Sequence, residues 1–249
     1  MLFDSHCHLY KEYYNNIDEI IKKSKDNGID MIVSDAVNID TCHEMIELAS
    51  KYEEVYITLG IHPEDVDDSY EELESIIMNN LNNPKFIAIG EIGLDYHYEG
   101  YDRDKQIDLL EKQLCLAEKI NKPVVIHSRD AFDDMINILR KHHCRGVIHC
   151  FEGTLEEYKQ YEELGYYIGV DGNVTFKNSR TRDVIKEIPM DRILLETDSP
   201  YLTPEPYRGT TNNPSNIRVI AEYIANLKNI DINDVKMCQK SVVSKVFDF

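Results

Sequence analysis

Histidine and carboxylate residues recur at the ends of short apolar segments in this 249-residue chain. The first segment is "LFDSHCHLY", residues 2–10, in which two histidines flank one cysteine. Residues two apart in a strand point to the same side, so Asp4, His6 and His8 would share one face and Cys7 the other. Two imidazoles on one face could bind a metal ion or form a hydrogen-bonded pair in a core, and the pair alone does not decide between them.

Four later segments carry groups that could complete a metal site. They are "AIGEIGLDYH" with Glu91, "VVIHSRDA" with His127, "GVIHCFEG" with His149 and "LLETDSPYL" with Asp198. Charged side chains are seldom buried without a partner, and a cation would supply one. Nitrogen and oxygen ligands together suit zinc, manganese, cobalt or nickel better than magnesium, although magnesium stays possible.

Eight apolar segments are predicted to be strands, and they cover residues 2–8, 30–37, 55–62, 86–92, 123–128, 145–150, 166–171 and 192–198. Several are near-continuous runs of Val and Ile, which is typical of parallel strands buried on both faces. Helical patterns lie between them. Two of these begin at Ser69 and Thr154 and have Glu three residues later, which predicts a capping box at each start.

Eight strand–helix units in a chain of this length predict an α/β fold, a (β/α)8 TIM barrel, as one domain over residues 1–249. An open doubly wound sheet is the alternative, but no Gly-rich phosphate-binding fingerprint is present. Catalytic groups of TIM barrels lie at the carboxyl ends of several strands. The barrel would therefore bring the six metal-binding candidates together at one end.

Other polar positions have two interpretations each. His62 in "LGIHPED" could contact substrate or cap a turn, and Arg129 could hold a substrate phosphate or form a structural ion pair. Asp35 and Asp171 are interpreted as structural. The cluster "KHHCRGVIHC" does not have zinc-finger spacing, and we interpret most of it as a helix end.

Composition excludes several classes of function. The formal net charge is −19 and no basic stripe is present, which argues against binding along an extended duplex. No apolar run is long enough to span a membrane, and the first residues do not have the pattern of a signal peptide. The six scattered cysteines are interpreted as reduced thiols of a cytoplasmic protein. The oligomeric state stays open, with a monomer as the simpler expectation.

Taken together, the motifs resemble the TatD family of metal-dependent hydrolases, among the amidohydrolase-like barrels, over essentially the whole chain. The resemblance rests on "DSHCHL", "GIHP", "GEIGLDYH", "PVVIHSRDA", "IHCFEG", "LLETDSPYL" and "RGTTNNP", in this order. It implies two divalent cations at the strand ends. One would be bound by His6, His8 and Asp198, the other by His127 and His149, with Glu91 as the bridge.

The resemblance also implies hydrolysis of an ester bond by a metal-activated water, most simply at the 3′ end of DNA. Asp198 and Glu91 would be the catalytic residues, with Asp198 as both ligand and proton acceptor, while His62 and Arg129 would contact substrate. Hydrolysis of a carboxyl ester or amide, such as an aminoacyl-tRNA ester, is the alternative because the same ligands would serve it. A metal-loaded barrel that only binds a partner is a third reading.

Three further expectations concern the surroundings of these residues. Asp4 is expected to orient a histidine ligand. Tyr10 stands where the family usually has Asp or Asn, and Glu64 stands where it often has His. We expect these two differences to affect substrate range. Tyrosines at the predicted rim could stack on bases or merely pack, and these are Tyr96, Tyr98 and Tyr201.

Overall fold

The computed structural model describes residues 2–248 and alternates strands with helices along the chain. The strands are β1 (Leu2–Cys7), β2 (Ile29–Asp35), β3 (Val55–Leu59), β4 (Phe86–Asp95), β5 (Val124–Arg129), β6 (Gly146–Ile148), β7 (Tyr167–Val170) and β8 (Ile193–Leu195). The α-helices are α1 (Ile17–Asp26), α2 (Ile39–Lys51), α3 (Tyr70–Asn79), α4 (Arg103–Ile120), α5 (Phe132–Leu139), α6 (Leu155–Glu163), α7 (Arg182–Glu187), α8 (Ile217–Lys228) and α9 (Ile232–Phe247).

The eight strands form one parallel sheet whose order follows the chain from β1 to β8. The first and last strands meet just beyond their ends, where a bridge joins Cys7 to Ser199. The amide of His8 donates to the Ser199 carbonyl at 2.7 Å, and the amide of Asp198 donates to the His6 carbonyl at 3.0 Å. The predicted (β/α)8 barrel is therefore confirmed, and the open doubly wound sheet is not found.

Two apolar layers hold the barrel. The larger one lies between the sheet and the surrounding helices and includes Cys7, which faces the helices as predicted. The smaller one fills the amino-terminal end of the barrel, where Val33, Val125 and Leu194 pack with Val246 of α9. Because α9 closes that end, the carboxyl ends of the strands form the mouth.

Some strand boundaries differ from the prediction. β4 continues to Asp95, three residues beyond the expected end, whereas β6 and β8 have only three residues each. His149 and Asp198 thus lie just past the ends of their strands. The chain leaves the strand direction there because Cys150 and Asp198 have φ of 44° and 51°, in the left-handed region.

The two predicted helix starts are correct, but only one of the two predicted capping boxes is complete. The Thr154 hydroxyl accepts from the amide of Glu157, whose side chain accepts from the Thr154 amide in return. Ser69 accepts from the amide of Glu72 without that return bond, so the capping box predicted there is half formed. All six cysteines are free thiols. Within residues 2–248, no helix has the length and apolar content needed to cross a membrane.

Candidate metal centre

Four side chains at the mouth form a compact group that we name the first cluster: His6, His8, Glu91 and Asp198. The Nε2 atoms of His6 and His8 lie 3.3 Å apart. Glu91 Oε2 is 3.5 Å from His6 Nε2 and 3.6 Å from His8 Nε2. Asp198 Oδ1 is 3.6 Å and 3.5 Å from the same two nitrogens.

The nitrogen–nitrogen and nitrogen–oxygen spacings match those expected between ligand atoms around a cation. For metal–ligand distances of about 2.1 Å, the ligand atoms of a regular tetrahedron lie about 3.4 Å apart. The five measured separations in the first cluster run from 3.3 to 3.6 Å. Two imidazole nitrogens and two carboxylate oxygens also form a donor set that zinc and similar divalent ions accept.

The other oxygen of Glu91 faces what we name the second cluster: Glu91 Oε1, His127 Nδ1 and His149 Nε2. Glu91 Oε1 lies 2.9 Å from His127 Nδ1 and 2.7 Å from His149 Nε2. The two histidine nitrogens are 3.0 Å apart. These are hydrogen-bond distances, so the atoms would have to separate by about half an ångström to surround a cation. The structure thus brings all six predicted ligands into two groups that share Glu91.

The carboxylates of the centre are held in their charged form. Burial alone would raise the pKa of Glu91, but electrostatic attraction to the surrounding imidazoles and the hydrogen bonds from His127 and His149 outweigh it and hold that pKa well below its usual value. Burial is outweighed in the same way at Asp198, whose pKa is lowered by a hydrogen bond with His8 and by nearby histidines. Both groups are therefore anions available to a cation.

The histidines divide into two kinds. Burial lowers the pKa of His149 to about 4 despite the charge of Glu91, so its ring is neutral. At His6 burial also lowers the pKa, but the charge and contact of Asp35 prevail and raise it well above the usual value. At His127 burial is outweighed by Asp95 and Glu91, and the pKa is raised to about 9. The imidazoles of His6 and His127 therefore supply positive charge beside Glu91.

Asp35 supports His6, which corrects two expectations. Asp35 Oδ2 lies 3.2 Å from His6 Nδ1, and its other oxygen accepts from the Thr58 hydroxyl at 2.8 Å. Asp35 is thus part of the centre rather than merely structural. Asp4, expected to orient a histidine, instead accepts from the amide and hydroxyl of Thr197 at 2.8 and 2.6 Å. The reason is a register shift of β1 between Asp4 and Cys7, which turns Asp4 toward β8.

Tyr10 supports His8. The Tyr10 hydroxyl lies 3.0 Å from His8 Nδ1 and donates to the backbone carbonyl of Asp35. His8 Nδ1 therefore carries a proton that it donates to the Tyr10 oxygen, which leaves Nε2 free to bind metal. Only 3 % of Tyr10 is exposed, which argues against direct contact with substrate, and its effect on substrate range stays a prediction.

Two acidic residues that the sequence did not indicate support the second cluster. Asp95 Oδ2 lies 2.9 Å from His127 Nε2 and so turns Nδ1 toward Glu91. Glu196 is fully buried, and its Oε1 lies 3.8 Å from His149 Nδ1. His149 Nδ1 and Glu196 Oε2 have no hydrogen-bond partner among residues 2–248. Burial raises the pKa of Glu196 well above its usual value, so this carboxyl is a neutral acid.

A signal for both residues was present in the sequence. Asp95 is four residues after Glu91, and Glu196 is two residues before Asp198, where strand periodicity would place it on the same side. Gly169 on the neighbouring strand makes room for Glu196, because a Cβ there would lie 2.2 Å from Glu196 Oε2.

The two predicted substrate contacts lie beside the second cluster. His62 Nδ1 accepts from the amide of Glu64 at 3.2 Å and caps the turn Pro63–Asp65. Its proton is therefore on Nε2, which lies 3.5 Å from Glu91 Oε1. Arg129 ends β5, with 42 % of its side chain exposed, and its guanidinium is 4.0 Å from Asp95 Oδ2. Both interpretations of each residue, structural and substrate-facing, remain compatible with this placement.

The tyrosines at the rim differ in accessibility. Tyr96 is partly buried, donates to Asp134 and stacks on Tyr101, so for this residue packing is the correct reading. Tyr98 and Tyr201 are 56 % and 50 % exposed. The hydroxyl of Tyr201 lies 2.8 Å from that of Tyr13, a residue that the sequence did not single out. Asp171 caps the turn Gly172–Thr175, in keeping with a structural role.

Comparison with known proteins identifies the family. The family described as "TatD related DNase" matches residues 3–248. Relatives include the metal-dependent hydrolase YabD of Bacillus subtilis, 36 % identical over 99 % of both chains, and YcfH of Escherichia coli, 33 % identical over 99 % of this chain and 95 % of the relative.

A solved structure agrees with these relatives. The crystal structure of YjjV, a TatD homologue from Escherichia coli, superimposes with a TM-score of 0.93 at 27 % identity and covers 100 % of this chain and 98 % of that one. The fold, the histidine and carboxylate clusters and the match along the chain agree. This chain belongs to the TatD family and is a metal-dependent hydrolase.

Proposed function

We propose that this hydrolase cleaves phosphodiester bonds at the 3′ end of single-stranded DNA, with two divalent cations bound at the mouth. The observation that carries the proposal is the position of Glu91, which directs one oxygen into each cluster. Cations in the two clusters would be bridged by one carboxylate, the arrangement of two-metal phosphodiesterases. The family description "TatD related DNase" supports the same class of reaction.

The bound cations would supply Lewis acidity toward a phosphoryl oxygen and would make a nucleophilic water accessible at neutral pH. The residues of the chain supply the rest. His6, His8 and Asp198 would hold one cation, His127 and His149 the other. Asp198, whose lowered pKa keeps it ionised, would accept the proton of the attacking water, a contribution of about 10²–10⁴-fold.

Groups beside the second cluster would bind the phosphate. His62 presents an Nε2 proton toward Glu91 Oε1. It would therefore donate a hydrogen bond to a phosphate oxygen of the substrate rather than act as a seventh metal ligand. The guanidinium of Arg129 lies over the ring of exposed Tyr98, 5.2 Å from its centre, and offers its remaining donors to the mouth. A fork of guanidinium donors matches the geometry of a phosphate.

Aromatic side chains on the opposite side would bind the base. The exposed pair Tyr13 and Tyr201 lies over the first cluster, with the Tyr201 ring 6.2 Å from that of His8. Stacking of a base on an aromatic ring is worth about 1–3 kcal/mol and requires an unpaired base. With a net charge of −19, the surface beyond the mouth repels a longer polyanion, which favours a strand end over an extended duplex.

The test compares DNA with an aminoacyl ester. Chelator-treated protein is given Mn²⁺, Mg²⁺, Zn²⁺, Co²⁺ or Ni²⁺ in turn, with single-stranded DNA labelled at its 5′ end, and with charged tRNA in parallel. We expect a ladder of products shortened from the 3′ end that disappears with chelator and with Asp198→Asn. Metal-dependent loss of the aminoacyl ester without any DNA product would replace the proposal by the carboxyl-ester alternative.

A further inference from the structure

A second group of side chains that could bind a metal ion lies on the outside of the barrel, at the end opposite the mouth. Cys115 and Glu118 are three residues apart on α4, so they share one face of that helix. His142 lies in the segment between α5 and β6. One donor atom from each of these three residues lies within 4.8 Å of the other two. The group contains His142 of "KHHCRGVIHC", a segment in which His149 alone belongs to the clusters at the mouth.

Two of the three donors, those of Glu118 and His142, are oriented toward each other. His142 Nδ1 lies 3.3 Å from Glu118 Oε2. The amide of His143 donates to the other oxygen, Oε1, and this bond fixes the carboxylate plane. The amide of His142 donates to the Leu139 carbonyl at 3.2 Å, which holds the segment against the end of α5. A ligand set arranged in this way loses little conformational freedom when it binds a cation.

The position of the group separates it from the mouth. The segment that carries His142 leads into the first residue of β6, Gly146, so it lies at the amino-terminal end of the barrel. The catalytic clusters lie at the carboxyl ends of the strands. The group is also open to solvent: Cys115 is exposed, and Glu118 and Cys144 line an adjoining open groove of about 460 Å³.

We propose that Cys115, Glu118 and His142 bind one Zn²⁺ or a similar divalent ion, with water completing the coordination. Thiolate, imidazole and carboxylate are the three ligand types that zinc uses in proteins. A thiolate also makes the site prefer zinc and cobalt over magnesium and manganese. The site would connect α4 to the segment before β6, and it is independent of the hydrolytic function proposed above.

The charge of the group supports cation binding. The His143 amide bond, together with His142, holds the pKa of Glu118 below its usual value against a smaller effect of burial, so the carboxylate is ionised. Lys141 does not compete for it, because its ammonium group is paired with Glu111 at 3.0 Å. An ordinary His142–Glu118 hydrogen bond beside an uninvolved thiol is the alternative that the experiment must distinguish.

The absorption spectrum of bound Co²⁺ distinguishes the outer site from the clusters at the mouth. The two clusters at the mouth have nitrogen and oxygen ligands, whereas the outer site has sulfur, and Co²⁺ bound to thiolate gives a charge-transfer band in the near ultraviolet. We expect the reduced protein to develop this band by the third equivalent of Co²⁺, because the two clusters at the mouth also bind Co²⁺, and we expect added Zn²⁺ to remove it. Cys115→Ser should abolish the band, while Cys238→Ser, on α9, should keep it.

Two adjacent histidines give a matched pair of variants. His142→Ala removes a ligand and should weaken Co²⁺ binding at the outer site by about tenfold or more, whereas His143→Ala should leave it unchanged. Hydrolytic activity should be unaffected by either variant and by Cys115→Ser. The proposal is overturned if no band forms, if the band survives Cys115→Ser, or if the two histidine variants bind Co²⁺ equally.

Discussion

The two clusters that share Glu91 are built from similar residues but differ in the spacing of their ligand atoms. The ligand atoms of the first cluster lie 3.3–3.6 Å apart, as around a cation, whereas those of the second lie 2.7–3.0 Å apart and hydrogen-bond to one another. Support of the outer ring nitrogens is mixed in both clusters: His8 and His127 have partners in Tyr10 and Asp95. The Nδ1 atoms of His6 and His149 have no hydrogen-bond partner among residues 2–248. The fold alone therefore spaces the first cluster for a cation. In the second cluster, a cation must replace the hydrogen bonds that its histidines make to Glu91.

The largest effect is expected from the first cluster. Asp198→Asn keeps the shape and one oxygen ligand but removes the proton acceptor, so activity should fall by about 10²–10⁴-fold with little change in the fold. The rate of ester hydrolysis and the bound metal should be measured together with circular dichroism. Near wild-type activity at full metal occupancy would show that Asp198 is only a ligand.

The spacing difference predicts unequal affinities. A cation in the second cluster must displace the two hydrogen bonds that His127 and His149 donate to Glu91, each worth about 0.5–1.5 kcal/mol net, so it should bind about 5- to 10²-fold more weakly than a cation in the first cluster. The Cys115→Ser variant should be titrated with Mn²⁺ in a calorimeter, so that the outer site does not contribute. We expect two binding steps. His127→Ala should remove the weaker step only. Two equal steps would contradict the distinction drawn between the clusters.

The sequence predicted which side chains meet at the mouth better than it predicted the groups that contact them. The six proposed ligands recur at the ends of apolar segments, so the strand count and the barrel together placed all six at the mouth. Asp95 and Glu196 were missed because support depends on which side chain of a neighbouring strand faces a given nitrogen. Local periodicity wrongly assigned this role to Asp4, because the register shift in β1 is set by pairing with β2.

The support of the second cluster can be disturbed without touching a ligand. Gly169→Ala places a Cβ 2.2 Å from Glu196 Oε2, so we expect a loss of about 1–3 kcal/mol in the free energy of unfolding. Urea denaturation measures it. In a Glu196→Ala background the same change should cost much less because the clashing atoms are absent. If the cost is the same in both backgrounds, the glycine is needed for another reason.

The smallest expected effect comes from Tyr10, because its hydroxyl contacts a histidine of the first cluster, His8. Tyr10→Phe keeps the buried ring but leaves His8 Nδ1 without the hydroxyl 3.0 Å away, so the stronger Mn²⁺ step should weaken by about tenfold and the weaker step should not change. Tyr14→Phe is the matched control, since its hydroxyl donates to the Asn212 carbonyl at 2.9 Å instead. A change in both Mn²⁺ steps would mean that Tyr10 acts through Glu91, which the two clusters share. A change in substrate KM alone would show that Tyr10 affects substrate choice, although its burial argues against direct contact.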